Sequence, residues 1–330
     1  MLNTETPEVK FALQAVRLAS LLVRQVQSEL VSPALTKEDR SPVTVADFAS
    51  QALIAHQLAE TFPHDLLVAE EDSRALQDPA ENATLQQITR FVDRFAPGAT
   101  EKAVTGWIDH NRADSAPRFW TLDPIDGTKG FLRGDQYAVA LALVEDGQVL
   151  LGALGCPNLA DGYRPDVDGP GTLVIAVRGQ GAWAAPLDHP NGFTSLHVSS
   201  RSDPKEARIL RSFESGHTNV SQIDRFAEAL GVQAEPIRMD SQAKYAVLAS
   251  GKGELILRLL SPEKPNYREK IWDQAAGALV LEEAGGRITD LQGNPLDFTT
   301  GRMLLNNRGV LASNGRLHEA ALQALQKVGA

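Results

Sequence analysis

Between Pro7 and Leu30 the apolar residues recur at helical spacing: Val9, Leu13, Val16, Val23 and Leu30 make a stripe that Leu21, Leu22 and Val26 widen. Apolar side chains three or four residues apart share one helix face, so this segment reads as a helix laid on a core. Thr6-Pro7-Glu8 supplies its start, with a hydroxyl in the capping position and a proline in the first turn. A polar loop, KEDRSPVT (37–44), then leads to a second helix expected from Val45 to Phe62 and closed by Pro63. LLVAE (66–70) reads as a short buried strand that runs into acids. Residues 80–95 regain helical character, whereas 97–117 show no period and read as an irregular segment, a candidate flap.

RFWTLD (118–123) follows as a strand. The apolar runs QYAVALALVE and QVLLGALG meet at Asp146-Gly147, two residue types that tolerate positive φ, and so predict a hairpin. TLVIAVRGQGAWAA predicts a second one. The turn formers of DHPNG (188–192) mark a junction that divides the chain into a first domain, 1–190, and a second, 191–330. Beyond it a strand (ARILRSF), a helix (220–230), a helix (SQAKYAVLASG), a strand (GELILRLL) and a helix stopped by two glycines (WDQAAGALVLEEAGG) succeed one another. That alternation predicts an α/β second half.

Length adds that 330 residues suit two domains or one large layered one. The 43% hydrophobic and 22% charged content is that of a globular chain. A net charge of −10 argues against nucleic acid or an anionic membrane as partner. It does not exclude a small phosphorylated substrate, because bound metal ions reverse a local field. MLNTETPEVK lacks the features of a signal peptide, and the longest apolar run, AVALALV, is too short for a membrane-spanning helix. Cys156 is the single cysteine, which excludes an intrachain disulfide and fits a reducing compartment. No activating base neighbours it in sequence, so a buried inert thiol is expected. A cytoplasmic protein, monomeric or homodimeric, is the resulting expectation.

Chemistry concentrates in acids at the ends of apolar runs. WTLDPIDGTKGF places Asp123 and Asp126 on either side of Pro124 and Ile125. One turn, fixed by the proline, would aim both carboxylates inward with the Ile125 carbonyl between them, and such oxygens suit Mg²⁺. A turn capped by solvated acids is the alternative. Glu70 and Glu71 close the LLVAE strand; Asp273 and Asp47 each stand at an expected helix start, where a carboxylate also serves as a cap. The spacing of an EF-hand, a phosphate-binding GxxxxGK[ST] loop and HExxH are all absent, and RGQGAWA lies between strands instead of opening a helix.

Taken together, SPVTVADFASQAL, LLVAEED, DPIDGTKGFLRGDQYAVALALV, LGALGCPNL, DSQAKYAVLASG and EKIWDQAAGALVLEEAGG resemble the inositol monophosphatase superfamily of lithium-sensitive, magnesium-dependent phosphatases, over residues 37–314. DPIDGT with a distant Trp-Asp pair is the superfamily signature. GFLRGDQYAV, GCPNL and DSQAKY are narrower and resemble its 3'(2'),5'-bisphosphate nucleotidase branch. The resemblance implies a five-layer αβαβα sandwich, of the inositol monophosphatase and fructose-1,6-bisphosphatase type, with the site at the seam between the halves. It implies one Mg²⁺ on Glu70, Asp123 and the Ile125 carbonyl, a second on Asp123, Asp126 and Asp273, and a third reached through water by Glu70 and Glu71. Asp47 and Thr128 would orient and deprotonate the attacking water, and the Gly127 and Thr128 amides would receive the phosphate. Gly216, His217, Asp240, Ser241, Lys244 and Arg258, with Asp273, match the substrate side, Lys244 and Arg258 against the phosphate that is not cleaved. Read as residues alone, Lys244 also fits a solvated helix position and Arg258 a surface strand charge.

The implied reaction is hydrolysis of adenosine 3',5'-bisphosphate to AMP and phosphate, inhibited by Li⁺, with 3'-phosphoadenylyl sulfate, 2'-phosphate isomers and inositol 1,4-bisphosphate as further substrates and sulfate assimilation as the setting. Its rivals are an inositol or sugar monophosphate phosphatase and a non-catalytic nucleotide sensor. Three positions depart from the pattern: Ala69 replaces a glycine before the two glutamates, Gln274 replaces a histidine after Trp-Asp, and SPEKPNY lengthens the loop before REKIWD.

Overall fold

The computed structural model describes residues 2–31, 41–110, 112–190, 192–213, 220–261 and 263–330. Helix α1 (Pro7–Leu30) has its proline in the first turn, but Thr6 at the capping position makes no side-chain cap bond. Helix α2 (Ser41–Thr61) begins within the segment read as a polar loop. After β1 (Leu66–Ala69) come α3 (Asn82–Asp93) and α4 (Glu101–Ile108). The last corrects the expectation of an irregular flap over 97–117. Thr100 caps α4 by accepting the Ala103 N–H at 3.2 Å, and Val104 and Ile108 are buried beneath it. Only two buried positions in EKAVTGWI, with Gly106 among weak helix formers, left no readable period.

β2 (Arg118–Asp126), the short α5 (Thr128–Arg133), β3 (Ala138–Glu145) and β4 (Gln148–Cys156) lead to β5 (Thr172–Val177), β6 (Gly181–Pro186) and β7 (Thr194–Ser195). These seven strands form one sheet in chain order, β1 parallel to β2 and every later pair antiparallel. The β3–β4 hairpin turns at Asp146 (φ 49°) and Gly147 (φ 75°), both in the left-handed region as their sequence predicted. Cys156 is fully buried at the end of β4, and burial pushes its thiol up to about 12.

A second, mixed sheet is built from β8 (Ile209–Arg211), β9 (Ile237–Arg238), β10 (Leu255–Arg258), β11 (Arg287–Thr289) and β12 (Val310–Ser313), in the order β11-β12-β10-β8-β9. Its helices are α6 (Val220–Leu230), α7 (Ala243–Ala249), α8 (Ala275–Glu283) and α9 (His318–Lys327).

Three apolar clusters define the stacking. Alternate residues of the first sheet, among them Trp120, Leu122, Val139 and Leu141, pack on α1 and α2. The opposite face, with Ala138, Ala140 and Ala142, packs on α7 and α8, which rest in turn on Ile256, Ala312 and Ile288 of the second sheet. The far side of that sheet, Ile209, Leu255 and Leu311, meets α6 and α9. The order is helices, sheet, helices, sheet, helices. Among the described residues no helix is long and apolar enough to cross a membrane.

The central helix layer is tight where α7 and α8 cross. A Cβ added to Gly277 would overlap the ring of Tyr245. Gly277→Ala is therefore expected to cost about 1–3 kcal/mol of unfolding free energy through overpacking. Denaturant titration checks this; a variant as stable as the parent would contradict the close approach.

Candidate active site

A regular strand points residues three apart to opposite faces. Asp123 and Asp126 escape that rule. Asp123 pairs with Ala140 and Asp126 with Ala138, so three steps on β2 match two on β3, and the extra residue is a bulge. Both carboxylates thus leave the sheet on the side of Ala138 and Ala140, toward the central helix layer, while Ile125 buries its side chain on the other face. The sequence reading placed these acids in a turn after Asp123. The strand in fact continues to Asp126, and the bulge does the aiming.

The two acids open into a cavity of about 280 Å³. Glu70, at the end of β1, and Asp273, just before α8, share its walls with Gly127 and Thr128. Ser212, Asp240, Ser241, Lys244 and Arg258 line it as well, as do Lys129 and Lys270. Asp47 and Glu71 are not among its walls. Asp47 is buried in the second turn of α2, past the capping position, and its Oδ1 has no hydrogen-bond partner. Glu71 is held through its backbone by the Gln51 side chain, which accepts from its N–H at 3.1 Å and donates to its carbonyl at 2.8 Å. Gly216 and His217 lie outside the described residues. A larger, mainly apolar cavity of about 690 Å³ beside α7 and β5 has Asp161, Asp166 and Lys252 as its charged lining and none of these acids.

The acids burden one another. Burial raises Asp123 well above the usual carboxylate range, and Glu70, Asp126, Asp273 and Asp47 push it further. Burial likewise raises Asp273, with Asp126 adding to the effect and Arg258 opposing it. Asp126 is raised by burial, against the pull of Lys244, Arg258 and Gln242. Asp47 is raised well by burial, then by Glu71 and Glu70. Glu71 is raised by burial and Asp72. Glu70 reaches solvent at the cavity mouth, yet the protein around it and then the charges of Glu71 and Asp126 bring it to about 7.

These carboxylates sense one charge cloud, but among the described residues no three Asp, Glu, His or Cys side chains meet as a ready-made metal cage. The donor set nonetheless fits hard divalent cations. It is all oxygen, the Oδ1 of Asp123 is buried without a hydrogen-bond partner, and its neighbours resist simultaneous ionisation unless positive charge joins them.

Cations line the same cavity. Lys244 is buried on α7, not solvated, and its Nζ reaches Ser212 Oγ at 3.3 Å. Burial and the neighbouring Arg258 bring it down to about 8. Arg258 is no surface charge either: it pairs with Glu269 at 2.9 Å and lies 3.8 Å from Asp273. Asp240 pairs with Arg133 and accepts the Phe213 N–H at 3.3 Å. Ser241 carries a positive φ of 68°, and Gly127, at φ 89°, approaches it so closely that a Cβ would stand 2.8 Å from Ser241 Cβ.

Sequence reasoning missed Gln242, whose N–H donates to Asp126 at 2.6 Å and whose side chain bonds the Trp272 carbonyl and the Gly277 N–H. It also missed Arg133, Gln51 and Glu269. Gln242 and Arg133 stood inside the motifs DSQAKY and GFLRGD, but Asp126 and Asp240, the site acids they bond, are more than a hundred residues away and leave no local trace.

Comparison with known proteins agrees with this architecture. The model of the inositol monophosphatase family matches residues 4–330. A Schizosaccharomyces pombe protein named 3'(2'),5'-bisphosphate nucleotidase is 40% identical over 97% of this chain and 95% of its own length. A protein of that name from Oryza sativa is 41% identical over 98% and 95%. Among solved structures, the Thermotoga maritima IMPase superposes with a TM-score of 0.64 at 20% identity, covering 98% of each chain. Mycobacterium tuberculosis SuhB gives 0.62 at 22%, over 97% of this chain and 95% of that one. A fold shared end to end and a family match over nearly every residue lead to one conclusion: the chain belongs to the inositol monophosphatase family.

Proposed function

We propose that this chain is a magnesium-dependent phosphatase that removes the 3'-phosphate of adenosine 3',5'-bisphosphate, giving AMP and phosphate. One observation carries the reading: a single cavity holds Glu70, Asp123, Asp126 and Asp273 together with the cations Lys244 and Arg258. A substrate with two phosphates engages both the acids, through the cations they bind, and Lys244 with Arg258; a monophosphate engages one set. The 3'(2'),5'-bisphosphate nucleotidases that are about 40% identical to this chain over nearly its whole length support the same substrate class.

Glu70, Asp123, Asp126, Asp273 and the backbone carbonyl of Ile125 would hold the Mg²⁺ ions, with Glu71 near a third. Bound there, the ions supply Lewis acidity and positive charge beside the scissile phosphate. The chain's own residues do the rest. Thr128, on the cavity wall where α5 begins, orients the attacking water, and the amides of Gly127 and Thr128 cradle the phosphate. Asp47 Oδ1, buried and unpartnered but outside the cavity lining, receives the water's proton through the Thr128 hydroxyl, which gives up its own proton as it takes the water's; a carboxylate raised above its ordinary range is suited to that work near neutral pH. Lys244 and Arg258 hold the 5'-phosphate, which fixes the ribose for in-line displacement. Asp240 and Ser241 line the nucleoside side.

Phosphate release from adenosine 3',5'-bisphosphate, adenosine 3'-monophosphate and an inositol monophosphate, with Mg²⁺ and then with added Li⁺, tests the reading. The bisphosphate is expected to be turned over fastest and Li⁺ to inhibit. Preference for the inositol ester would contradict it. Asp126→Asn keeps an oxygen to accept the Gln242 N–H but removes a charge. It is expected to retain the fold and lose about 100-fold or more in kcat; near-parental turnover at limiting Mg²⁺ would remove Asp126 from the site.

A third expectation concerns pH. Between the ordinary value of 4.5 and about 7, folded Glu70 keeps a proton that the unfolded chain has lost. Its contribution to stability therefore falls as pH rises through that window. Cations that take the proton's place should raise the melting temperature more at about pH 8 than at about pH 5. Scanning calorimetry with and without Mg²⁺ decides, and an equal increment at both pH values would speak against the cluster.

A further inference from the structure

Behind Arg258 lies a chain of buried polar groups that none of the roles above uses. Glu269 is buried, and its Oε2 takes two donors, Arg258 Nη2 at 2.9 Å and Gln274 Nε2 at 3.0 Å. Gln274 is buried as well, and its Oε1 accepts the hydroxyl of buried Tyr245 at 2.6 Å. The Glu269 carbonyl accepts the Leu304 N–H at 2.9 Å, so the backbone is pinned too. A carboxylate gripped from two sides cannot swing, and a guanidinium bonded to it keeps its plane. Arg258 so held keeps about a fifth of its side chain exposed and lines the cavity.

A cation already held in place by a buried partner loses little freedom when an anion docks against it. A second phosphate is such an anion. A nucleoside monophosphate offers none there, and sites of this kind discriminate strongly against analogues that lack the matching group. Gln274 matters for the same reason, since its amide fixes which face of Glu269 is offered to Arg258.

We propose that Glu269, oriented by Gln274, is a positioning residue that presets Arg258 to recognise the second phosphate and thereby selects bisphosphorylated over monophosphorylated nucleosides. This role rests on the bisphosphate reading given above. Glu269 touches neither the reacting atoms nor the ligand; it acts through Arg258.

The test compares kcat and KM for adenosine 3',5'-bisphosphate and adenosine 3'-monophosphate in the parent, Glu269→Gln and Gln274→Met, all at saturating Mg²⁺. The readout is the ratio of kcat/KM between the two substrates. In Glu269→Gln the KM for the bisphosphate should rise about 10- to 100-fold with kcat little altered, and the ratio should fall by the same factor. Gln274→Met should move it the same way by less, and decides the matter if Glu269→Gln does not fold. A ratio that stays at the parental value overturns the proposal, as does an equal loss on both substrates, which is the mark of a merely structural role. A parent enzyme with no preference for the bisphosphate overturns the underlying reading and this proposal with it; that failure is distinguishable because it shows before any substitution is made.

Discussion

Four carboxylates held where they cannot all be charged at once are the constraint around which this molecule is organised. Asp123 is nearly sealed from water, and Glu70, Asp126 and Asp273 stand within its field. Left to themselves, such groups keep protons and weaken the fold as pH rises. Cations bound among them would relieve that strain. The β2 bulge is the local device. Without the extra residue between Asp123 and Asp126, one of the two acids would face the α1–α2 layer instead of the seam.

The rest of the architecture serves to bring distant segments to that seam. Gln242, at the entrance to α7, ties Asp126 to the carbonyl of Trp272 and to the first turn of α8, so the strand of the first sheet and the loop bearing Asp273 share one clamp. Arg302 makes a second tie: it donates to the Ala69 carbonyl at 2.7 Å, next to Glu70, while its guanidinium lies 4.6 Å over the ring of Trp272. The extra methyl of Ala69, where the family pattern has glycine, is buried beside this contact and leaves the carbonyl available. The same geometry brings cations to the acids, because α7 and β10 carry Lys244 and Arg258 into the cavity that Asp126 and Asp273 line.

Much of this was legible in the chain, for identifiable reasons. Short-range signals survived folding intact: Pro7 opens α1, Asp146-Gly147 turns the hairpin, and the apolar runs around them became β3 and β4. The carboxylates of DPIDGT and of the Trp-Asp pair could be nominated because acids at the ends of apolar runs are conspicuous. What stayed hidden depends on register or on distance. A bulge adds one residue to an otherwise regular strand and alters no residue type. The bonds of Gln242 to Asp126, Arg133 to Asp240 and Arg302 to Ala69 join positions more than a hundred residues apart. Helix α4 hid because only one side of its two turns is buried, and β11, β12 and α9, after the paired glycines, were not anticipated at all.

The central claim is that Glu70, Asp123, Asp126 and Asp273 close on shared divalent ions although no three of them meet as a finished cage in this structure. Anomalous diffraction from crystals equilibrated with Mn²⁺ tests this most directly. The account predicts peaks at the β2 bulge, with Asp123 a ligand to more than one of them. Manganese bound elsewhere, or acids that remain apart around an empty cavity at saturating Mn²⁺, would contradict it.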